Sequence, residues 1–220
     1  MASRGKAAGP RLPPPLAEVG HYYDLKARRH GPTPRGVDWP DAPSQALRFA
    51  QLLKLCDFAQ PRSLNDLGCG YGALLDHLRQ HHPGAAVDYR GVDVAPSMIE
   101  LARQRHAATP TSAFVVASSP GRVADYSVAS GIFNVKLECA EPAWEALVAA
   151  TLADLSAHSR IGFAANFIEP AQPGVGSPHQ LYRVARARWT AHCIGKLGCR
   201  VEIVDGYGLP EYTLIARKHS

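Results

Sequence analysis

From Arg62 to the C-terminus, short runs of β-prone residues alternate with helical patterns. This order constrains the chain more than any other feature. Strands separated by crossover helices pair in parallel and form one sheet with helices on both faces. Strands are expected near 63–67, 87–92, 113–117, 126–131, 160–167, 200–205 and 212–217. Leu74, Leu75 and Leu78 give one crossover helix its apolar face, and Ala95, Met98, Ile99 and Ala102 give the next the i, i+3, i+4, i+7 template behind Pro96. Pro142 opens a later helix on which Trp144, Leu147, Val148 and Leu155 share a face, and residues 180–197 read as another. Ser44 reads as the cap of a helix running to about Asp57 ahead of the sheet.

Residues 1–16 contain Pro10, Pro13, Pro14 and Pro15 and few large apolar groups, so they are expected to form a disordered basic arm. The rest, 17–220, reads as a single domain: a lid and helical segment over 17–58 and a core over 59–220. The net charge of +5 is concentrated at the start of the chain. Residues 1–36 hold Arg4, Lys6, Arg11, Lys26, Arg28, Arg29 and Arg35 against Glu18 and Asp24, and the body is balanced. A neutral body argues against a phosphate-tracking surface, so a nucleic-acid partner is disfavoured. No apolar run approaches the roughly 18 to 20 residues that span a membrane, and the start has no secretory apolar stretch, so a cytoplasmic location is expected. Cys56, Cys69, Cys139, Cys193 and Cys199 form neither a CxxC pair nor a Cys/His ladder, which points away from disulfides and from structural zinc.

The sharpest local signal is Leu64-Asn65-Asp66-Leu67-Gly68-Cys69-Gly70-Tyr71-Gly72: a strand, an acid, then a triple-glycine turn opening a helix. Glycine lets the backbone turn with positive φ and lets a ligand lie against it. In an open parallel sheet such a turn sits where ligands collect. The spacing G-x-G-x-G differs from the G-x-G-x-x-G that seats a pyrophosphate, and no Walker lysine follows, which disfavours a nicotinamide-dependent reductase. Asp66 would repel a pyrophosphate but suits a cationic amine, a group that S-adenosyl-L-methionine carries. Asp93, ending Gly91-Val92-Asp93, lies 25 positions after Gly68 and can accept hydrogen bonds from a ribose diol.

D-L-G-C-G-Y-G followed by G-V-D-V-A-P-S-M resembles the class I S-adenosylmethionine-dependent methyltransferases over roughly residues 44–218. HGPTPRGVDWPDAPSQALRFAQLLKL, SVASGIFNVKLE and DGYGLPEYTLIARK are further similar to a bacterial subgroup with no single agreed substrate. The resemblance implies a Rossmann-like, doubly wound α/β sheet of order 3-2-1-4-5-7-6 with the last strand antiparallel. It also implies that S-adenosyl-L-methionine is the cofactor and S-adenosyl-L-homocysteine the product. On the same basis Gly68, Cys69, Gly70 and Gly72 form the cofactor turn, Asp66 faces the amine, Asp93 takes the ribose, and Val94 and Met98 flank the adenine. The third strand ends Val116-Ala117-Ser118-Ser119 without the acid or amide that many members place there, so Ser118 or backbone groups serve instead.

Acceptor-side residues should come from loops at the carboxyl ends of the strands and from the segment before the first core helix. Tyr22 and Tyr23 could close over a sulfonium by cation–π attraction or clasp the arm to the core. Ser130 and Asn134 border the turn after strand four, where the acceptor lies in this fold, and Asn134 could orient it or cap a turn. His179, in a long Gly/Pro-rich loop, has the ordinary pKa of a base near neutrality. Arg48 could grip the cofactor carboxylate or lie on a helix surface. Arg183, Arg186 and Arg188 read as a solvated face. No metal-binding constellation and no N-P-P-Y run stand out. The expected activity is methyl transfer to an oxygen or nitrogen of a small molecule. A protein or RNA acceptor and a catalytically silent cofactor-binding subunit are the alternatives, and a homodimer is left open.

Overall fold

A computed structural model describes residues 12–171 and 178–219. The seven expected strands are present: β1 (Arg62–Leu67), β2 (Val87–Asp93), β3 (Ser112–Val116), β4 (Ala124–Ala129), β5 (Ser159–Ile168), β6 (Arg200–Val204) and β7 (Glu211–Arg217). They form one sheet of order β3-β2-β1-β4-β5-β7-β6. β1 through β5 pair in parallel, and β7 runs antiparallel to both β5 and β6. The order reverses beside β1, so the carboxyl ends of β1 and β4 part to leave a crevice.

Six α-helices accompany the sheet among the described residues: α1 (Pro14–His30), α2 (Ala42–Leu52), α3 (Ala73–His81), α4 (Pro96–Arg105), α5 (Glu141–Ala157) and α6 (Arg186–Gly195). Trp144, Val148 and Leu152 of α5 and Trp189 of α6 pack into one core layer, while Leu52 of α2, Leu74 and Leu78 of α3 and Ile99 of α4 pack into the other. Both layers are apolar because each strand of a sheet covered on two faces buries side chains on both.

The structure corrects the sequence reading at both ends of the lid. Helix α1 begins at Pro14, within the span expected to be a disordered arm, and residues 1–11 lie outside the described residues. Prolines suit the first turn of a helix because their missing N–H would find no intrahelical partner there. Arg28, Arg29 and His30 occupy the last turn of α1, where positive charge complements the helix dipole, and Gly31 with φ +61° ends it. The cap of α2 is Asp41 rather than Ser44: its carboxylate accepts from Ser44 N at 2.8 Å, and a short 3-10 turn over Leu53–Leu55 ends the segment before Asp57. Helix α6 starts only at Arg186, because the chain before it is drawn into backbone bonds with other elements. Tyr182 N donates to Asn134 O at 2.9 Å and Val184 N to Ile168 O at 3.0 Å.

The antiparallel seam that sets β7 in place passes over Gly162 of β5. A Cβ there would stand 2.4 Å from Ala216 O, a backbone atom that cannot turn aside. Gly162→Ala should therefore force β5 and β7 apart and cost about 1–3 kcal/mol, read as a lower urea midpoint at unchanged slope.

Candidate functional site

The crevice is floored by the β1–α3 turn. Gly68, Gly70 and Gly72 all adopt positive φ (+76°, +52° and +83°). Gly68 N and Cys69 N both donate to Val92 O, at 2.7 and 3.0 Å, which ties the turn to β2. At Gly68 a Cβ would lie 2.0 Å from Ile132 Cγ2, so only glycine lets the turn and the loop after β4 approach this closely. Gly72 serves differently from the expectation. A Cβ there would meet His106 Nε2 at 2.8 Å, and the same nitrogen lies 3.0 Å from Gly72 O, so this glycine packs against α4's end and does not line the cavity.

Two carboxylates flank the turn. Asp66 is 2% exposed and accepts a hydrogen bond from Tyr89 Oη at 2.5 Å. Burial is the main cause that pushes its pKa up to about 7, against the Tyr89 hydrogen bond, which lowers it. Asp93 accepts from Gly70 N and Ala95 N, both at 2.9 Å, and burial raises its pKa to about 6 in spite of those bonds. Among the described residues neither is ion-paired with a cationic side chain. The site therefore holds two acids in need of a positive or hydrogen-bond-donating ligand.

Above them opens a cavity of about 310 Å³. Its floor includes Asp66, Gly68, Cys69, Gly70, Asp93 and Val94; Met98 and Ser118 line one side, and Ser130 through Val135 the other. Its roof comes from α1, through Leu16, Val19 and Tyr23, and from Val37 and Trp39 in the following turn. Trp144, Leu147, Ile168 and Leu181 close the far end. The roof is pinned to α4, where Asp24 Oδ1 accepts from Ser97 N at 2.9 Å, and Lys26 Nζ pairs with Asp38 at 2.5 Å.

Most of the residues singled out in the sequence converge on this cavity, with four departures counting Gly72. Of the tyrosine pair, Tyr23 lines the cavity and burial drives its pKa well above the usual range. Tyr22 stands outside, edge-on to Tyr23 at 5.1 Å and with Lys26 Nζ 5.3 Å from its ring. The helical period of α1 separates the two rings. His179 is exposed, its Nε2 2.8 Å from Glu138 Oε1, and is not among the lining residues; Leu181, two positions on, is the one that pairs with Val135 and lines the cavity. Arg48 borders the cavity but its bidentate edge is engaged: Nε and Nη2 clamp the two carboxylate oxygens of Glu211 at 2.8 and 2.6 Å, and Nη1 donates to Ser44 O. That edge is closed to a cofactor carboxylate.

That clamp belongs to a buried chain invisible in the sequence. Asn166 Nδ2 donates to Glu211 Oε2 at 2.9 Å, and Asn166 Oδ1 accepts from Gly131 N at 2.7 Å. Trp39 lies over the Arg48 guanidinium, 3.8 Å from Cζ to the ring centroid, and against Gly131, where a Cβ would come within 2.4 Å of its ring. Only the lone acid in the otherwise uncharged Glu211–Ala216 run hints at it. Glu211→Ala leaves a buried guanidinium unpaired and should cost about 3–5 kcal/mol in chemical denaturation, whereas Arg48→Met combined with Glu211→Leu should recover most of that loss.

A family profile described as "Methyltransferase domain" (Methyltransf_12) matches residues 65–152. Rv1506c of Mycobacterium tuberculosis, a methyltransferase by name, is 39% identical over 168 residues, 76% of this chain and 100% of that protein. Magnesium protoporphyrin IX methyltransferase of Synechocystis PCC 6803, solved with bound S-adenosylhomocysteine, superimposes with a TM-score of 0.65 at 15% identity, covering 93% of this chain and 100% of that one. The pyocyanin biosynthetic protein PhzM superimposes with a TM-score of 0.59 at 17% identity, over 93% of this chain and 70% of that one. Sequence relationship, strand order and glycine turn agree: this chain belongs to the class I S-adenosylmethionine-dependent methyltransferases.

Proposed function

We propose that this methyltransferase acts on an oxygen or nitrogen of a small molecule enclosed beneath α1. The observation that carries the reading is the roofed cavity, which extends past the glycine turn to an apolar end wall. A compact molecule fits such a chamber better than a polymer.

The residues present fit the cofactor of the family. Asp66 faces a cationic amine beside Gly68, Cys69 and Gly70, and Asp93 keeps outward lone pairs for the ribose hydroxyls while its inward ones hold Gly70 N and Ala95 N. Val94 and Met98 supply apolar flanks for the adenine, with Ser118 at its edge. Bound there, S-adenosylmethionine supplies an electrophilic methyl on a sulfonium. Tyr23 offers an aromatic face to that cation. Ser130 and Asn134 stand across the floor on the acceptor side. The chain's contribution is chiefly alignment: effective molarities of well-placed groups are worth roughly 7–11 kcal/mol of barrier, against about 10² to 10⁴ in rate for a proton-abstracting base. With His179 outside the lining residues, the reading needs no histidine base.

The raised pKa values give this assignment a pH signature. In the unliganded fold both acids favour the protonated form, so their burial destabilises the protein as pH rises from about 4 through 7. A ligand ammonium pairs only with the ionised acid. The rise in melting temperature produced by S-adenosylmethionine or S-adenosylhomocysteine should therefore grow from pH 5 to pH 8, and a shift that shrinks over that range would contradict the assignment. Asp93→Ala should weaken S-adenosylhomocysteine by tenfold or more in calorimetry with the fold intact. Deleting residues 2–11 should leave turnover of a small acceptor, followed as S-adenosylhomocysteine release, unchanged; loss of turnover on a protein or RNA acceptor with small-molecule turnover kept would favour a macromolecular acceptor docking on the basic arm.

A further inference from the structure

The turn after β4 is held by its backbone at four points. Gly131 N donates to Asn166, Asn134 N to Gly131 O at 3.1 Å, Trp144 Nε1 to Phe133 O at 3.1 Å, and Tyr182 N to Asn134 O at 2.9 Å. Within this fixed frame Asn134 is 4% exposed and lines the cavity, yet neither Oδ1 nor Nδ2 of its side chain has a hydrogen-bond partner among the described residues. Ser130 Oγ, on the same wall, is also buried without one. Buried polar groups are nearly always paired, so an amide with both halves unpaired in a rigid setting marks a place where a ligand completes the bonds.

The surroundings narrow what that ligand can be. Phe133, Trp144, Leu147, Ile168 and Leu181 give the acceptor end apolar walls. The other charged residues lining the cavity are already matched, Arg48 with Glu211 and Asp38 with Lys26 outside it, while Asp66 and Asp93 lie on the floor beside the glycine turn. An ion placed at this end would lose its hydration and find no counter-charge.

Building on the methyl-transfer reading, we infer that the acceptor is an uncharged, largely apolar molecule carrying a hydrogen-bond donor and an acceptor side by side, as in an amide, a lactam or a hydroxy-carbonyl edge, and that Asn134 reads this edge bidentately with Ser130 Oγ as a third contact. Asn134 is thus the residue that determines specificity. Its Oδ1 accepts from the ligand's donor and its Nδ2 donates to the ligand's acceptor. A site built for these bonds discriminates against analogues lacking either group, because its own buried polar atoms are then left unpaired.

The test uses full-length protein saturated with S-adenosylhomocysteine and titrated calorimetrically with small probes. 2-Pyridone and benzamide carry the neutral edge, toluene lacks it, benzoate carries a charge, and 2-aminopyridine offers donors with a readily acquired proton. Wild-type protein should bind 2-pyridone and benzamide at least tenfold tighter than toluene or benzoate. Asn134→Asp should move the preference to 2-aminopyridine. Asn134→Leu should abolish the amide preference, leave S-adenosylhomocysteine affinity within about twofold, and raise the melting temperature by about 2 °C or more, since it removes two unpaired polar atoms. Benzoate or toluene binding as tightly as the amides, no binding of any probe, an unchanged preference in both variants, or a loss of S-adenosylhomocysteine affinity beyond fivefold in Asn134→Leu would each overturn the inference. Failure of wild-type protein to bind S-adenosylhomocysteine would strike the methyl-transfer reading instead, and the same probe preferences measured on the protein alone would then decide this one.

Discussion

Asp66, two residues before the glycine turn, and Asp93, at the end of the neighbouring strand β2, flank that turn in surroundings that penalise their charge, and no basic side chain among the described residues offsets them. The remainder of the site can be understood from that deficit. A protein that wanted only stability would have replaced these acids or paired them. Here the protein invests hydrogen bonds from Tyr89, Gly70 and Ala95 in keeping the two carboxylates oriented, which lowers the penalty without cancelling it. A ligand with an ammonium at one end and a hydroxylated sugar further along supplies the missing partners. On the proposed reading, recognition of the cofactor and relief of an electrostatic cost built into the fold are one event.

The acceptor side follows a different logic. The Arg48–Glu211–Asn166–Gly131 chain crosses from a helix before the sheet, through two antiparallel strands, to the loop after β4. Its two charges are matched to each other through the bidentate edge of Arg48, so it acts as a brace rather than as a recognition surface. Trp39 packs over the arginine and against Gly131, which makes the roof part of the same brace. The unpaired amide of Asn134 is notable because it sits beside so complete a network.

The strands could be read from sequence because each is a short β-prone run set off by glycine, proline or a helical pattern, and all were placed within a few residues. The glycine turn is legible for a similar reason: the spacing of Gly68 and Gly70 and the positions of Asp66 and Asp93 are local facts about the chain. What escaped was non-local. Nothing near Arg48 indicates that its partner lies 163 positions away at the start of β7, so a cofactor contact looked as reasonable as a structural one. His179 has the chemistry of a base, but the residue near it that meets the cavity is set by the pairing of Leu181 with Val135, a contact between distant parts of the chain. Helix α1 was missed at its start because a proline-rich composition suggests disorder, and whether prolines end a segment or open a helix depends on what the following residues can pack against. Here Val19, Gly20 and Ala27 find α4 and the crevice.

Helix α1 does more than cover. Its Asp24 caps the first turn of α4, and its Lys26 grips Asp38 beside Trp39, so the ceiling of the chamber is fastened at both edges. A molecule leaving between α1 and α4, past Tyr23, must first part the Asp24–Ser97 fastening. The residence time of anything held inside by that path can be no shorter than the interval between spontaneous detachments of a single amphipathic helix.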